Sequence, residues 1–140
     1  MVNHRMSVAL HILSLIAITE HKEQLTSDWI ANSVNTNPVV IRRLMSSLNK
    51  AGLIRAGRGL KGMTLTREPS EITLLDVYKA VAPNHELFAI HQDRNMDCPV
   101  GCNIEHSLNN MYGELQGKLE LEMKQKTLAM LLAGVQKAEL

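Results

Sequence analysis

Aromatic residues are scarce, with one Trp, two Tyr and one Phe among 140 positions, so a core must come from Leu, Ile, Val, Ala and Met. Cysteine is rarer still. Cys98 and Cys102, with three residues between them, are too few for a disulfide framework. No long hydrophobic run exists: residues 8–18 form the most apolar stretch, and His11 and Ser14 interrupt it. That is far short of the roughly 20 residues that cross a bilayer. Glu20, His21, Lys22 and Glu23 follow where a signal peptide would carry small residues. A cytoplasmic protein with no membrane association is expected.

Acidic residues are missing from one region altogether. Between Asp28 and Glu68 there is none, while Arg42, Arg43, Lys50, Arg55, Arg58, Lys61 and Arg67 supply seven cations. Net charge is only +1, yet residues 1–67 hold nine Lys/Arg against three Asp/Glu, and residues 68–140 hold six against eleven. The halves therefore carry +6 and −5, the polarity of a polyanion-binding half joined to a half with another task. The length excludes a large multidomain enzyme. At 45% hydrophobic and 21% charged residues, the chain has the composition of an ordered globular protein.

Residues 5–20 read as a helix apolar around most of its circumference, with Met6, Ala9, Leu10, Leu13, Ile16 and Ala17 inward and Val8, Ile12 and Leu15 on the flank. Thr26 or Ser27 offers a cap for a short helix whose inward residues are Trp29, Ile30, Ala31 and Val34, ending by Asn35. Asn37-Pro38 restarts a helix, after which Ile41, Leu44, Met45, Leu48 and Ala51 recur at helical spacing. Gly52 stops it as the left-handed residue past the end. Residues 53–56 and 63–66 read as short strands around a glycine-rich turn. Thr73 and Asp76 announce another helix, with Ile72 and Val77 as its hydrophobic staple. Residues 83–101 lack a period and read as a long functional loop, although Pro99 suits the first position of a helix. From Asn103, Ile104, Leu108, Met111, Leu115 and Leu119 form an apolar seam that something must cover. A last helix is expected from Thr127 to about Val135.

Two short helices joined by a polar turn, then a hairpin, give the element order of a winged helix-turn-helix. The fold class expected is mainly α with a small β-hairpin wing, followed by a long C-terminal dimerisation helix. With Ile41, Leu44, Met45 and Leu48 inward, the second helix exposes residue types that read base edges: Arg pairs with guanine, Asn with adenine, and Val meets a thymine methyl. The expected DNA-contacting set is Ser27, Asn35, Thr36, Asn37, Val39, Arg42, Arg43 and Ser46, with Arg55, Arg58 and Lys61 from the wing. Double-stranded DNA is the expected partner. Gly57, Gly59 and Gly62 also spell a dinucleotide-binding fingerprint. That motif needs a helix after its last glycine, whereas residues 63–66 alternate like a strand.

Ser7-Val8-Ala9-Leu10, the run from Leu44 and Leu48 into Ala51-Gly52-Leu53-Ile54, Arg58-Gly59 with Gly62 and Leu65, and Ile72 through Val77 together resemble the Rrf-two family of transcription regulators. The likeness spans most of the chain. It implies a homodimeric repressor or activator without catalytic activity, bound to a roughly palindromic operator, with the long C-terminal helix crossing to the partner and the first helix beside it. The implied division is 1–82 for DNA binding, 83–102 for sensing and 103–140 for dimerisation. Where the family usually has Gly-Gly-Tyr in the wing, this chain has Lys61-Gly62-Met63. Cluster-binding members place three cysteines before the dimerisation helix. Only Cys98 and Cys102 stand here, so no cofactor is expected, an iron–sulfur cluster being one ligand short.

Cys98 beside Pro99 lies at a helix start, where the dipole favours the thiolate and oxidation chemistry. Cys98 and Cys102 are thus the candidate sensor. A metal reading would add His106, with His85 and His91 upstream; a small-metabolite pocket between loop and helix is the other sensory option. Two further functional classes remain at this point: a winged-helix adaptor that binds an acidic protein, and an enzyme using Cys98 with one of those histidines.

Overall fold

The computed structural model describes residues 4–56, 62–82 and 87–138. Six α-helices and one hairpin are the main elements of the described chain, with single 3-10 turns at Lys22–Gln24 and Pro69–Glu71: α1 (His4–Ile18), α2 (Ser27–Val34), α3 (Pro38–Lys50), β1 (Ile54–Ala56), β2 (Met63–Leu65), α4 (Leu74–Val81), α5 (Pro99–Gln125) and α6 (Leu128–Ala138). Local chemistry sets most of their ends. Thr26, not Ser27, caps α2 by accepting from the Trp29 N–H at 3.1 Å. Asn37 caps α3 through the Val39 N–H at 2.8 Å, with Pro38 in the first turn. Asn35 and Gly52 take left-handed φ values of 63° and 75°. Each lets the next N–H reach back five residues, Thr36 to Ala31 and Leu53 to Leu48, satisfying carbonyls that a helix end leaves bare. Thr73 and Asp76 form a reciprocal capping box on α4.

The core is a single cluster. Ala9, Ile12, Leu13 and Ile16 of α1 meet Ile30 and Ala31 of α2, Ile41, Leu44 and Leu48 of α3, and Val77 and Val81 of α4. Two expected placements change. Ile12 is fully buried while Leu10 is only partly covered, because α1 turns its 9–12–13–16 stripe to the core. Trp29 is 38% exposed, lying outside the stripe of Ile30, Ala31 and Val34 that α2 presents to α1 and α3.

The hairpin pairs antiparallel, with Ile54 opposite Leu65, Arg55 opposite Thr64 and Ala56 opposite Met63. Leu53, Ile54 and Met63 tie its base into the core. A strand follows Gly62, so the dinucleotide fingerprint lacks the helix it requires. The helix after the long loop begins at Pro99, four residues before the apolar period that starts at Asn103, because proline's fixed φ and missing N–H suit the first turn. Residues 99–102 are therefore helical. Residues 126–128 then return the chain to the core: the Leu74 N–H donates to the Lys126 carbonyl at 2.9 Å, and the Leu128 N–H to the Ile72 carbonyl at 2.8 Å. Leu128 and Leu132 of α6 join the cluster, whereas α5 has no buried residue along its 27 positions.

Candidate nucleic-acid interface

On α3, the turns that bury Ile41, Leu44 and Leu48 send Val39, Arg42, Arg43, Ser46 and Lys50 to the opposite face, and all five are exposed. Helical spacing unites them. Asn37 is exposed at the start of this helix, Asn35 is exposed and Thr36 half-buried in the preceding turn, and Ser27 is half-buried at the first position of α2. Arg55 is exposed on β1. Arg58 and Lys61 lie outside the described residues.

The electrostatics of this face follow from what is missing around it. Among the described residues the ion pairs are His21–Glu23, Arg67–Asp76, Arg94–Glu105 and Lys126–Glu122. Arg42, Arg43, Lys50 and Arg55 therefore have no carboxylate partner there. Arg67 does: its Nη1 lies 3.4 Å from Asp76 Oδ2 and donates to the Glu71 carbonyl at 3.2 Å. It braces the capping box, and the basic surface loses one of its seven cations. Lys50 was countable as a cation in the sequence but absent from the expected contact set. Its place eleven residues after Val39, three helical turns on, puts it on the same face.

Cys98 and Cys102 sit at the other end of the molecule's sequence. Cys98 caps α5, and both thiols are free and exposed. Cys98 makes no side-chain cap hydrogen bond, but the nearby backbone N–H groups of Gly101 and Val100 hold its thiol below the ordinary range. The Cys102 N–H donates to the Cys98 carbonyl at 2.8 Å, so the first turn is closed and separates the thiols by a helical turn. Among the described residues no group of three or more His, Cys, Asp or Glu is placed to hold a metal ion; His85 lies outside them. Among the described residues the donor set does not fit a four-ligand cluster.

The expected seam divides. Ile104, Met111 and Leu115 are exposed, Met111 by 63%, while Leu108 and Leu119 are half-buried. A second apolar surface, a groove of about 490 Å³, runs between α1 and α6 past Leu10, Leu15, Ile18, Leu131 and Val135. No described helix is long and apolar enough to cross a membrane.

A recognition helix held by a helix-turn-helix core, a β-hairpin beside it and an unpaired cationic face define a winged helix-turn-helix DNA-binding protein. Comparison with known proteins narrows this class. Residues 2–134 match the Rrf2 family, described as an iron-dependent transcriptional regulator, and the chain belongs to that family. YwnA of Bacillus subtilis strain 168, which carries the name of an HTH-type transcriptional regulator, is 44% identical over 128 residues, covering 91% of this chain and 94% of YwnA. A solved structure of a chain described as DNA-binding is 38% identical, with a TM-score of 0.73 over 91% of this chain and 98% of that one. The fold is shared with CymR of B. subtilis, at TM-score 0.66, 18% identity and coverage of 95% and 96%. It is shared also with IscR of T. potens, at 0.68, 20% identity and coverage of 100% and 91%. The protein is a DNA-binding transcriptional regulator, and its relatives are regulators, not enzymes.

Proposed function

We propose that the chain acts in the cytoplasm as a homodimeric, sequence-specific repressor of the Rrf2 type, with residues 1–82 reading DNA, 83–102 sensing and 103–140 dimerising. The observation that carries this reading is the outward face of α3, where Val39, Arg42, Arg43, Ser46 and Lys50 line up without a carboxylate among the described residues. Arginine at such a face bonds guanine edges, and each good bidentate pair contributes about 1–3 kcal/mol of discrimination. Asn35, Thr36, Asn37 and Ser27 at the helix ends, and Arg55, Arg58 and Lys61 in the wing, supply phosphate and groove contacts.

A 27-residue helix with no buried side chain and with Ile104, Met111 and Leu115 exposed supports dimerisation, together with Leu108 and Leu119 at its margin. Two-fold symmetry then favours a palindromic operator. Repression is the simplest action of such a dimer, by occupying DNA that polymerase must cross. Redox control through Cys98, with Cys102 one turn away, is supported by exposure and by the thiolate-favouring N–H groups.

Fluorescence anisotropy with DNA from upstream of the coding region tests the reading. A salt-sensitive, sequence-preferring complex that Arg42→Ala and Arg43→Ala each weaken about tenfold is expected. Binding that ignores sequence, or that survives both substitutions, refutes it. For the sensor, operator affinity of the wild type and Cys98→Ser is compared in dithiothreitol and in hydrogen peroxide. Identical affinities in all four conditions remove the redox component and leave the DNA reading intact.

A further inference from the structure

The face that α5 turns toward its own chain is unusually polar, carrying Glu105, Asn109, Tyr112 and Gln116. Over it runs the segment 87–94, fastened at both ends. At one end the Leu87 N–H donates to Gln116 Oε1 at 2.9 Å, and Gln116 Nε2 donates to the Tyr78 hydroxyl at 3.2 Å. At the other, Arg94 donates to Glu105 Oε2 at 2.8 Å and to the Gly101 carbonyl at 3.1 Å. Gly101 makes that second joint close: a Cβ there would lie 2.2 Å from the Asn95 carbonyl oxygen.

Between the two fastenings, which are eleven residues or about 16 Å apart along α5, lies a cavity of about 260 Å³. Phe88, Ile90 and Gln92 of the segment line it together with Glu105, Asn109 and Gly113 of α5. Phe88 stacks on Tyr112 with ring centroids 4.9 Å apart and planes at 19°, forming an aromatic wall.

We propose that this cavity is a binding site for a small nitrogen-bearing cation with a flat ring, such as an aryl amidine or an arylalkylammonium. The recognition chemistry is specific. A planar ring extends the Phe88–Tyr112 stack, and its N–H groups donate to the Glu105 carboxylate and to the side-chain oxygens of Gln92 and Asn109. The described lining contains one carboxylate, Glu105, and no Lys, Arg or His; the nearest cation, Arg94, is already engaged by Glu105 and by the Gly101 and His91 carbonyls, so a carboxylate ligand would have to compete with those partners for it. Glu105 Oε2 is engaged by Arg94, whereas Oε1 has no hydrogen-bond partner among the described residues. A second copy of the chain is a poorer occupant. At 100° per residue, Asn109 and Gly113 fall on one flank of Tyr112, and Met111 and Leu115, the exposed apolar positions, fall on the other.

Gly113 provides a clean test, because nothing lies within 4 Å of where its Cβ would be. Leucine there occupies the cavity without meeting protein atoms at its first carbon, and it favours the helix. Binding of benzamidine and tryptamine, with benzoate and indole-3-acetate as matched anions, is measured on the full chain without DNA by ligand-observed NMR and calorimetry. Each cation is expected to bind at least tenfold more tightly than its matched anion. Gly113→Leu should weaken cation binding at least tenfold with no fall in melting temperature, and Glu105→Gln should erase the preference for cations. The proposal is overturned if neither cation binds, if cations and anions bind alike, or if Gly113→Leu binds as the wild type does. These outcomes leave the DNA reading untouched.

Discussion

Gly62 stands where the wing meets the turn that follows α1. Its φ is +67°, and a Cβ built on it would lie 2.0 Å from the Lys22 carbonyl oxygen and 2.5 Å from the Lys22 carbonyl carbon. Alanine at this position incurs two separate costs. A left-handed conformation costs a residue with a Cβ about 1–2 kcal/mol. Relief of the overlap must then move backbone on one side. The Lys22 side is held, since Lys22 Nζ donates to the Ile16 carbonyl, the Leu25 N–H donates to Lys22 at 3.1 Å, and Leu25 is buried. The wing side is held by buried Met63 next in the chain. Either displacement forfeits core packing of the kind that costs about 1–3 kcal/mol when a site is overfilled. The expected loss for Gly62→Ala is about 2–5 kcal/mol.

Gly52 supplies the internal control. Its φ is +75°, but nothing lies within 4 Å of its Cβ position, so Gly52→Ala should cost only the conformational part, about 1–2 kcal/mol. Asparagine tolerates the left-handed region better than alanine. Gly52→Asn should therefore recover much of the loss, while Gly62→Asn, which still carries a Cβ, should not. Urea unfolding followed by far-ultraviolet circular dichroism measures all four, provided the slope with denaturant is unchanged. If Gly62→Ala proves no more destabilising than Gly52→Ala, the close approach of wing and turn is wrong.

Other outcomes follow from separate parts of the chain. Thr73→Ala removes the acceptor for the Asp76 N–H and should cost about 1 kcal/mol by the same unfolding assay. Cys98 should alkylate with iodoacetamide at a lower midpoint pH in the native protein than in urea. Its thiol is held down by the Gly101 and Val100 N–H groups, so the thiolate persists to lower pH when folded, and the preference is lost as pH falls through the native value. Equal midpoints would refute the capping geometry. Met111→Glu and Leu115→Glu place charge on the exposed stripe of α5; sedimentation should show a shift from dimer to monomer with helix content retained. An unchanged sedimentation coefficient would direct the search to the groove between α1 and α6.

Local signals were the readable ones. The caps at Asn37 and Thr73, the stop at Gly52, the inward set of α3 and the hairpin all depend on residues within about a dozen positions of one another, where side-chain hydrogen bonding, helical period and turn chemistry act directly. The cationic face was legible for the same reason, because 39, 42, 43, 46 and 50 share one side of any helix. Misplacements arose where a residue's neighbour lies on another element. Trp29 has the hydrophobicity of a core residue, but α1 and α3 cover the other side of its helix. Arg67 counted as a free cation until Asp76 and the Glu71 carbonyl claimed it. The polar inner face of α5 was not legible in the sequence, since two of the partners of Gln116 are Tyr78, 38 residues away, and Leu87, 29 residues away.

The order of elements, their ends, and the basic side of the second short helix were determined by the sequence alone, since each depends on short-range backbone and side-chain chemistry. Tertiary structure decided which cations stay unpaired, which apolar residues remain uncovered, and that residues 87 and 94 are fastened to Gln116 and Glu105 of α5. Those properties depend on distances between segments, and only the packed chain fixes them.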